Sequence, residues 1–262
     1  MCLLALSWQQ NSSYPFILAA NRDELLKRPT RPACFWPEQP NILGGKDLEA
    51  GGSWLLTSKQ GRWATLTNFR DGRDLTAGNL SRGELVLQAL QKPLEELPSW
   101  LEDNQQNFAG YNLLWGDSSQ AWYFSNRLAE APRQLSPGLY LLSNATLNTD
   151  WPKTRRLRKA IEEWQATENC HPSQLFATLA DPTQAADSDL PNTYLPIETE
   201  KFLSSIFIKG ENYATRTSTL LWQTADDNWH LHEKSHPTNQ NLGNEQYYNW
   251  QGSLFNENGN AF

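Results

Sequence analysis

Residues 16–24 read FILAANRDE. An apolar run from Phe16 to Ala20 ends at Asn21, Arg22, Asp23 and Glu24, with no Gly, Ser or Pro present to make an ordinary turn. The run has the make-up of a buried strand, and a similar run, Leu3 to Trp8, starts directly after a cysteine at position 2. Successive strand residues point to opposite faces. If the strand carries on through the quartet, Asn21 and Asp23 share one face and Arg22 and Glu24 the other. Arg22 and Asp23 then do not both reach Cys2. Either the strand breaks at Asn21, or Arg22 has framework work such as an ion pair with Glu24, Asp47 or Glu49. Asn21 and Asp23 are the expected inward pair.

Further strand-like segments recur in pairs joined by short links, which makes the partners antiparallel. Leu3 to Trp8 pairs with Tyr14 to Ala20, Ser53 to Thr57 with Arg62 to Thr67, Tyr111 to Trp115 with Ala121 to Ser125, and Thr217 to Trp222 with Trp229 to Glu233. Helical stretches lie between the groups. Ser81-Arg82-Gly83-Glu84 reads as a capping box ahead of Leu85, Val86, Ala89 and Leu90. From about Pro152 to Ala166 the 3.6-residue period puts Leu157, Ile161 and Trp164 on one face. It leaves Lys153, Arg155, Arg156, Arg158 and Lys159 on a solvated remainder. Other helices are expected around Pro93 to Asn104 and after Pro172. Antiparallel pairs with helices kept apart in sequence predict an α+β chain, strands in the middle and helices outside. No repeat or low-complexity tract interrupts it, so one domain over residues 1–255 and a flexible tail over 256–262 are expected.

Composition narrows the partners. A hydrophobic fraction of 39% and 12 Trp suit a folded globular chain. A formal net charge of -7 argues against a phosphate-binding surface, so nucleic acid is not an expected partner. No run is long enough to span a bilayer, and Cys2 to Leu6 is shorter than a secretory hydrophobic region. Three widely spaced cysteines, Cys2, Cys34 and Cys170, form neither a disulfide framework nor a CxxC metal pattern and suit a reducing compartment. A cytoplasmic protein is expected. His230 and His232 fall on one strand face with His236 close by, but no third ligand of suitable geometry is visible, and no metal site is expected. The segment GGKDLEAGGSW at 44–54 lacks the order of a phosphate loop, and its glycines serve turns or close backbone approach.

Cys2 becomes the first residue if Met1 is removed. Its thiol then shares a residue with a free α-amino group whose ordinary pKa, about 7.7–8.0, lets it take the thiol proton near neutrality. A cysteine opening an apolar strand is also a common inert core residue.

Several ordered blocks tip that balance: MCLL at 1–4, NRDE at 21–24, GGKDLEAGGSW at 44–54, TNFRDG at 67–72, SRGELV at 81–86, LLSNATLNTDWPK at 141–153, LPNT at 190–193 and YATRTSTLL at 213–221. Together they resemble the NRDE-motif family, also called the transport and Golgi organisation protein 2 family, nearly end to end. That family is in turn similar to N-terminal nucleophile hydrolases of the branch containing choloylglycine hydrolases, penicillin V acylase and acid ceramidase. The resemblance implies a four-layer αββα sandwich and cleavage of a non-peptide C–N amide bond. It implies Cys2 as nucleophile, Asp23 as acceptor for the α-amino group, Asn68 and Asn144 as amide donors to the scissile carbonyl, and Arg216 as an electrostatic anchor. Asn21, Arg22, Trp54 and Arg70 are the expected binding residues. Taken singly, Asn68 also reads as a turn residue, Asn144 as a strand-end cap, and Arg216 as a partner for Glu211 or another carboxylate. In choloylglycine hydrolases the catalytic Arg lies a few residues before the Asp, whereas Arg22 here is directly adjacent to Asp23. No cofactor is required, and the ligand is expected to be small and apolar or acyl-containing. The alternative implied by the family is a non-catalytic binding or transfer protein for a hydrophobic cargo such as haem, acyl-CoA or lipid.

Overall fold

The computed structural model describes residues 2–74, 78–237 and 242–252; the expected tail lies outside them. In chain order the elements are β1 (Cys2–Trp8), β2 (Phe16–Leu25), β3 (Thr30–Trp36), β4 (Gln39–Asp47), β5 (Leu55–Ser58), β6 (Trp63–Asn68), α1 (Gly83–Gln91), α2 (Leu97–Asn104) and β7 (Tyr111–Gly116). There follow β8 (Ala121–Ser125), β9 (Arg133–Gln134), β10 (Gly138–Leu142), α3 (Pro152–Gln165), α4 (Leu175–Leu179), α5 (Ile197–Phe202), β11 (Tyr213–Gln223), β12 (Asn228–Ser235) and β13 (Asn244–Gln251). One sheet has the order β10-β1-β2-β11-β12-β13 and the other β3-β4-β5-β6-β7-β8-β9. Within both, neighbouring strands are antiparallel.

Three apolar clusters define the layers. Between the sheets, Leu4, Leu6, Trp8, Phe16 and Leu18 of the first meet Leu43, Leu55, Trp63, Leu114 and Tyr123 of the second. On the far side of the first sheet, Leu3, Ala5, Ile17 and Ala19 pack on Leu157, Ile161 and Trp164 of α3 and on Leu175 and Leu179 of α4. On the far side of the second, Leu56, Ala64, Leu66 and Leu113 pack on Leu85, Val86, Ala89 and Leu90 of α1 and on Leu97 and Leu101 of α2. The result is an αββα sandwich. Because β1 and β2 are covered on both faces, they read as continuous apolar runs and not as alternating ones.

β2 does not break at Asn21. It runs through the whole quartet to Leu25, with Cys2 paired to Arg22 and Leu3 to Asn21. The alternation follows: Arg22 and Glu24 continue the face of Leu18 and Ala20 between the sheets, and Asn21 and Asp23 continue that of Ile17 and Ala19 toward α3 and α4. The alternation and the Arg22–Glu24 ion pair are as expected, but the pair on the face of Cys2 is Arg22 and Glu24 and not Asn21 and Asp23. Arg22 sits on the same sheet face as Cys2, and Asn21 is turned away. Its Nδ2 donates to the carbonyls of Leu179 (2.8 Å) and Ile206 (2.9 Å), tying β2 to the helical layer.

Two local expectations are corrected. The Ser81–Glu84 box does not form: Ser81 Oγ accepts from Gly83 N at 3.3 Å, while Glu84 Oε1 accepts from Gln88 Nε2. Lys153 is not on the solvated face of α3, although Arg155 and Lys159 are exposed. It occupies the first turn, only 2% exposed, and its Nζ donates to Leu203 O at 3.0 Å.

Candidate active site

The strand register assembles the site around Cys2. β2 puts Arg22 beside it on one side. On the other, the β1–β10 pairing of Leu4 with Leu142 brings the next two residues, Ser143 and Asn144, alongside it. Ser143 Oγ donates to the Cys2 carbonyl at 3.2 Å. Asn144 Nδ2 donates to the carbonyl of Asn68 at 2.9 Å, and Arg70 N donates to Asn144 O at 2.7 Å, which clips the end of β6 to the end of β10. Cys2, Asn68 and Asn144 are thus brought together from two different sheets. Their amides are not equivalent. Asn144 spends one donor on the clip, whereas the Asn68 side chain makes no hydrogen bond among the described residues and lines the cleft in front of Cys2.

That cleft has a volume of about 480 Å³. Besides Cys2 and Asn68 it is lined by Arg22, Glu24, Trp54, Leu66, Leu80, Arg82 and Tyr213. Its floor is fixed by Arg22, whose guanidinium lies 4.2 Å from the centre of the Trp54 ring and donates from Nη1 to Thr30 Oγ1 at 3.3 Å. Glu24 is its ion-pair partner at 3.8 Å. The glycine segment closes one wall: a Cβ on Gly52 would lie 2.5 Å from the Gly83 carbonyl carbon, so only glycine lets this loop run against the start of α1.

Electrostatically, burial pushes the Cys2 thiol above its ordinary value, and the adjacent Arg22 works against that rise. Beneath the sheet, burial also raises Asp23, opposed by Lys153 and by the Thr215 hydroxyl, which donates to Oδ1 at 2.6 Å. Lys153 is itself lowered to about 8, first by burial and then by Arg70. Lys153 and Asp23 are anchored by one chain segment. Leu203 O accepts from Lys153 Nζ, and Ile208 N donates to Thr215 Oγ1, the group that donates to Asp23.

The other sequence candidates fall elsewhere. Arg216 is the extra residue of a bulge in β11, between Thr215 (paired with Asp23) and Thr217 (paired with Arg22). Its Nη1 donates to the carbonyls of Leu25 (3.1 Å) and Arg28, holding the β2–β3 link and not turning to Cys2. Glu211 is not its partner. Arg70 is buried in an ion pair with Glu200 at 2.7 Å and lies over the Trp151 ring. His230 stacks on Trp222 and His232 meets Glu245; among the described residues no group of three or more His, Cys, Asp or Glu is placed to hold a metal ion. Sequence reasoning missed Lys153, Arg82, Tyr213 and Glu200. A signal for Lys153 existed, since a cation in the first turn of a helix opposes the helix dipole and needs acceptors from elsewhere.

A model of the family described as Transport and Golgi organisation 2 matches residues 1–237. The chain belongs to that family. Two relatives, the Transport and Golgi organization protein 2 homologs of Bos taurus and Homo sapiens, are each 31% identical to it. In both comparisons the match covers 90% of this chain and 93% of the relative. Among solved structures, the C2A mutant of conjugated bile acid hydrolase from Clostridium perfringens superimposes with a TM-score of 0.52 at 9% identity, covering 97% of each chain. At that identity the likeness speaks for the fold alone. The family member described here thus has the N-terminal nucleophile hydrolase fold, with its Cys2 at the open end of the inter-sheet layer.

Proposed function

We propose that this chain is an N-terminal cysteine amidohydrolase acting on a small non-peptide amide. The observation that carries the reading is that Cys2 lines a cleft together with Asn68, whose amide makes no hydrogen bond among the described residues, with Arg22 beside it. After removal of Met1, the α-amino group of Cys2 takes the thiol proton and the thiolate adds to the amide carbonyl. The Asn68 amide donates to the resulting oxyanion, an interaction with a typical effect of about 3 kcal/mol on the barrier. The ammonium returns the proton to the departing amine as the C–N bond breaks. Water, deprotonated by the same amine, adds to the thioester, and the acid leaves as the thiol is restored. Asp23 acts as acceptor for the ammonium from below the strand. Asn144 positions Asn68, and Arg22 favours the thiolate.

The lining itself bears on the cargo alternative. Apolar surface is supplied by Trp54, Leu66 and Leu80 amid Arg22, Glu24, Asp47 and Arg82, a balance better suited to a short polar-ended acyl group than to haem or a long lipid. A cytoplasmic setting accords with three free cysteines. No helix of the described residues is long and apolar enough to cross a membrane.

The test is turnover of short-chain acyl 4-nitroanilides by the purified protein and by Cys2→Ala and Asn68→Ala. Steady release of nitroaniline by the wild type, abolished in Cys2→Ala and lowered about a hundredfold in Asn68→Ala, is expected. Equal release by wild type and Cys2→Ala would contradict the reading.

A further inference from the structure

Three guanidinium groups line the cleft: Arg22, Arg28 and Arg82. Two are neutralised. Arg22 pairs with Glu24 at 3.8 Å. Arg28 grips Asp47 from Nε (2.9 Å) and Nη2 (2.8 Å), and Glu49 from Nη1 (2.9 Å). Arg82 has no ion pair among the described residues. Its Nη1 donates to the carbonyl of Gly110 at 3.2 Å, which fixes the plane of the group, and its Nε and Nη2 have no protein acceptor there. The residue lines the cleft together with Cys2 and Asn68. The position is rigidly held: Arg82 immediately precedes α1, whose first residue Gly83 abuts Gly52 and Ser53.

We infer that Arg82 is the specificity residue of this cleft and that it accepts a carboxylate on the substrate. The inference rests on the amidohydrolase reading for the word substrate, not for the site itself. A half-buried guanidinium with two adjacent donors that meet no acceptor among the described residues matches the fork geometry of a carboxylate. A dianionic phosphate is disfavoured because Glu24 and Asp47 line the same cleft. Leu66, Leu80 and Ala109, also in the lining, suit a short apolar spacer between the carboxylate at Arg82 and the carbonyl at Cys2. The preferred class is therefore an amide whose acyl or amine half ends in a carboxylate.

The experiment separates binding from turnover. In the Cys2→Ala chain, calorimetry compares succinyl, glutaryl and adipoyl 4-nitroanilides with their methyl esters. For at least one spacer length the acid is expected to bind about ten- to a hundredfold more tightly than its ester. Cys2→Ala/Arg82→Gln should bring that ratio close to one, and Cys2→Ala/Arg82→Lys, which keeps the charge but not the fork, should retain part of it. Circular dichroism of each variant establishes that it is folded. A ratio near one at every length in Cys2→Ala, or a ratio that persists in the folded Arg82→Gln variant, overturns the inference. Discrimination by Arg82 in a chain whose wild type turns over none of these amides would instead overturn the hydrolase reading and leave the carboxylate site standing.

Discussion

Arg22 is the residue whose role changes most between sequence and structure. In the sequence it is adjacent to Asp23 and competes with it for Cys2; in the sheet the two take opposite faces, and Arg22 shares that of Cys2. Arg22 opposes the rise that burial imposes on the thiol, so Arg22→Gln should move the midpoint of the pH profile of Cys2 alkylation upward. At neutral pH the rate should fall about tenfold; an unchanged profile would mean that the guanidinium serves only Trp54 and Glu24. Lys153 makes a second residue-scale prediction. Its folded value, about 8, lies below the ordinary lysine value, so between about pH 8 and 10.5 the unfolded chain holds a proton that the folded chain has released. This contribution to stability therefore rises with pH across that window and is absent in Lys153→Gln. Denaturant titrations at pH 7.5 and pH 10 should show wild type gaining up to a few kcal/mol relative to the variant, about 3 at most. Parallel curves for the two proteins would show that Lys153 does not titrate there. That Cys2, Asp23 and Asn68 meet at one cleft was legible because each lies in an ordered motif. Lys153 and Arg82 were not, because helical periodicity assigns faces along an element and carries no information on what packs against its end.

Among the elements, β2 carries the site because it is central. Pairing with β1 and β11 forces the strand through NRDE, and the bulge at Arg216 then takes up the extra residue of β11. Strands with clear apolar runs were legible. β3 was not, since Pro32 and the register shift between Arg31 and Cys34 erase its period. Nor was β13, an edge strand of mostly polar and tyrosine residues. The start of α1 depends on a glycine contact and not on the capping box that the sequence suggested. Gly52→Ala would place a methyl group 2.5 Å from the Gly83 carbonyl carbon. It is expected to cost about 1–3 kcal/mol in a denaturant titration and to lower turnover beyond that loss, because Arg82 and Trp54 would move together. A variant with wild-type stability and activity would show the contact to be slack.

At the scale of the whole molecule, the two sheets are joined by the inter-sheet core and by polar contacts, among them two clips toward opposite edges of the first sheet. One is Asn144 to Asn68. The other is Glu233 of β12, buried between the sheets, whose Oε1 accepts from Ala33 N of β3 at 2.7 Å and whose Oε2 accepts from Thr219 at 3.2 Å. Burial raises the Glu233 carboxyl above its ordinary value. The folded chain therefore holds that proton where the unfolded chain has lost it, and stability falls as pH rises above about 4.5. Glu233→Gln, which keeps an acceptor for Ala33, should gain stability relative to wild type between pH 4.5 and pH 7 in thermal melts; a constant difference across that range would exclude the buried titration. The first clip lies just past β10, the strand paired with β1, and Cys2 at the start of β1 lines the cleft, which is the basis of the proposed nucleophile role. Intact-mass spectrometry before and after a short exposure to iodoacetamide at neutral pH tests that assignment most directly. The account predicts a chain lighter by its initiator methionine, with one alkyl group placed by peptide mapping on Cys2. A chain that retains Met1, or that is alkylated only at Cys34 and Cys170, would contradict it.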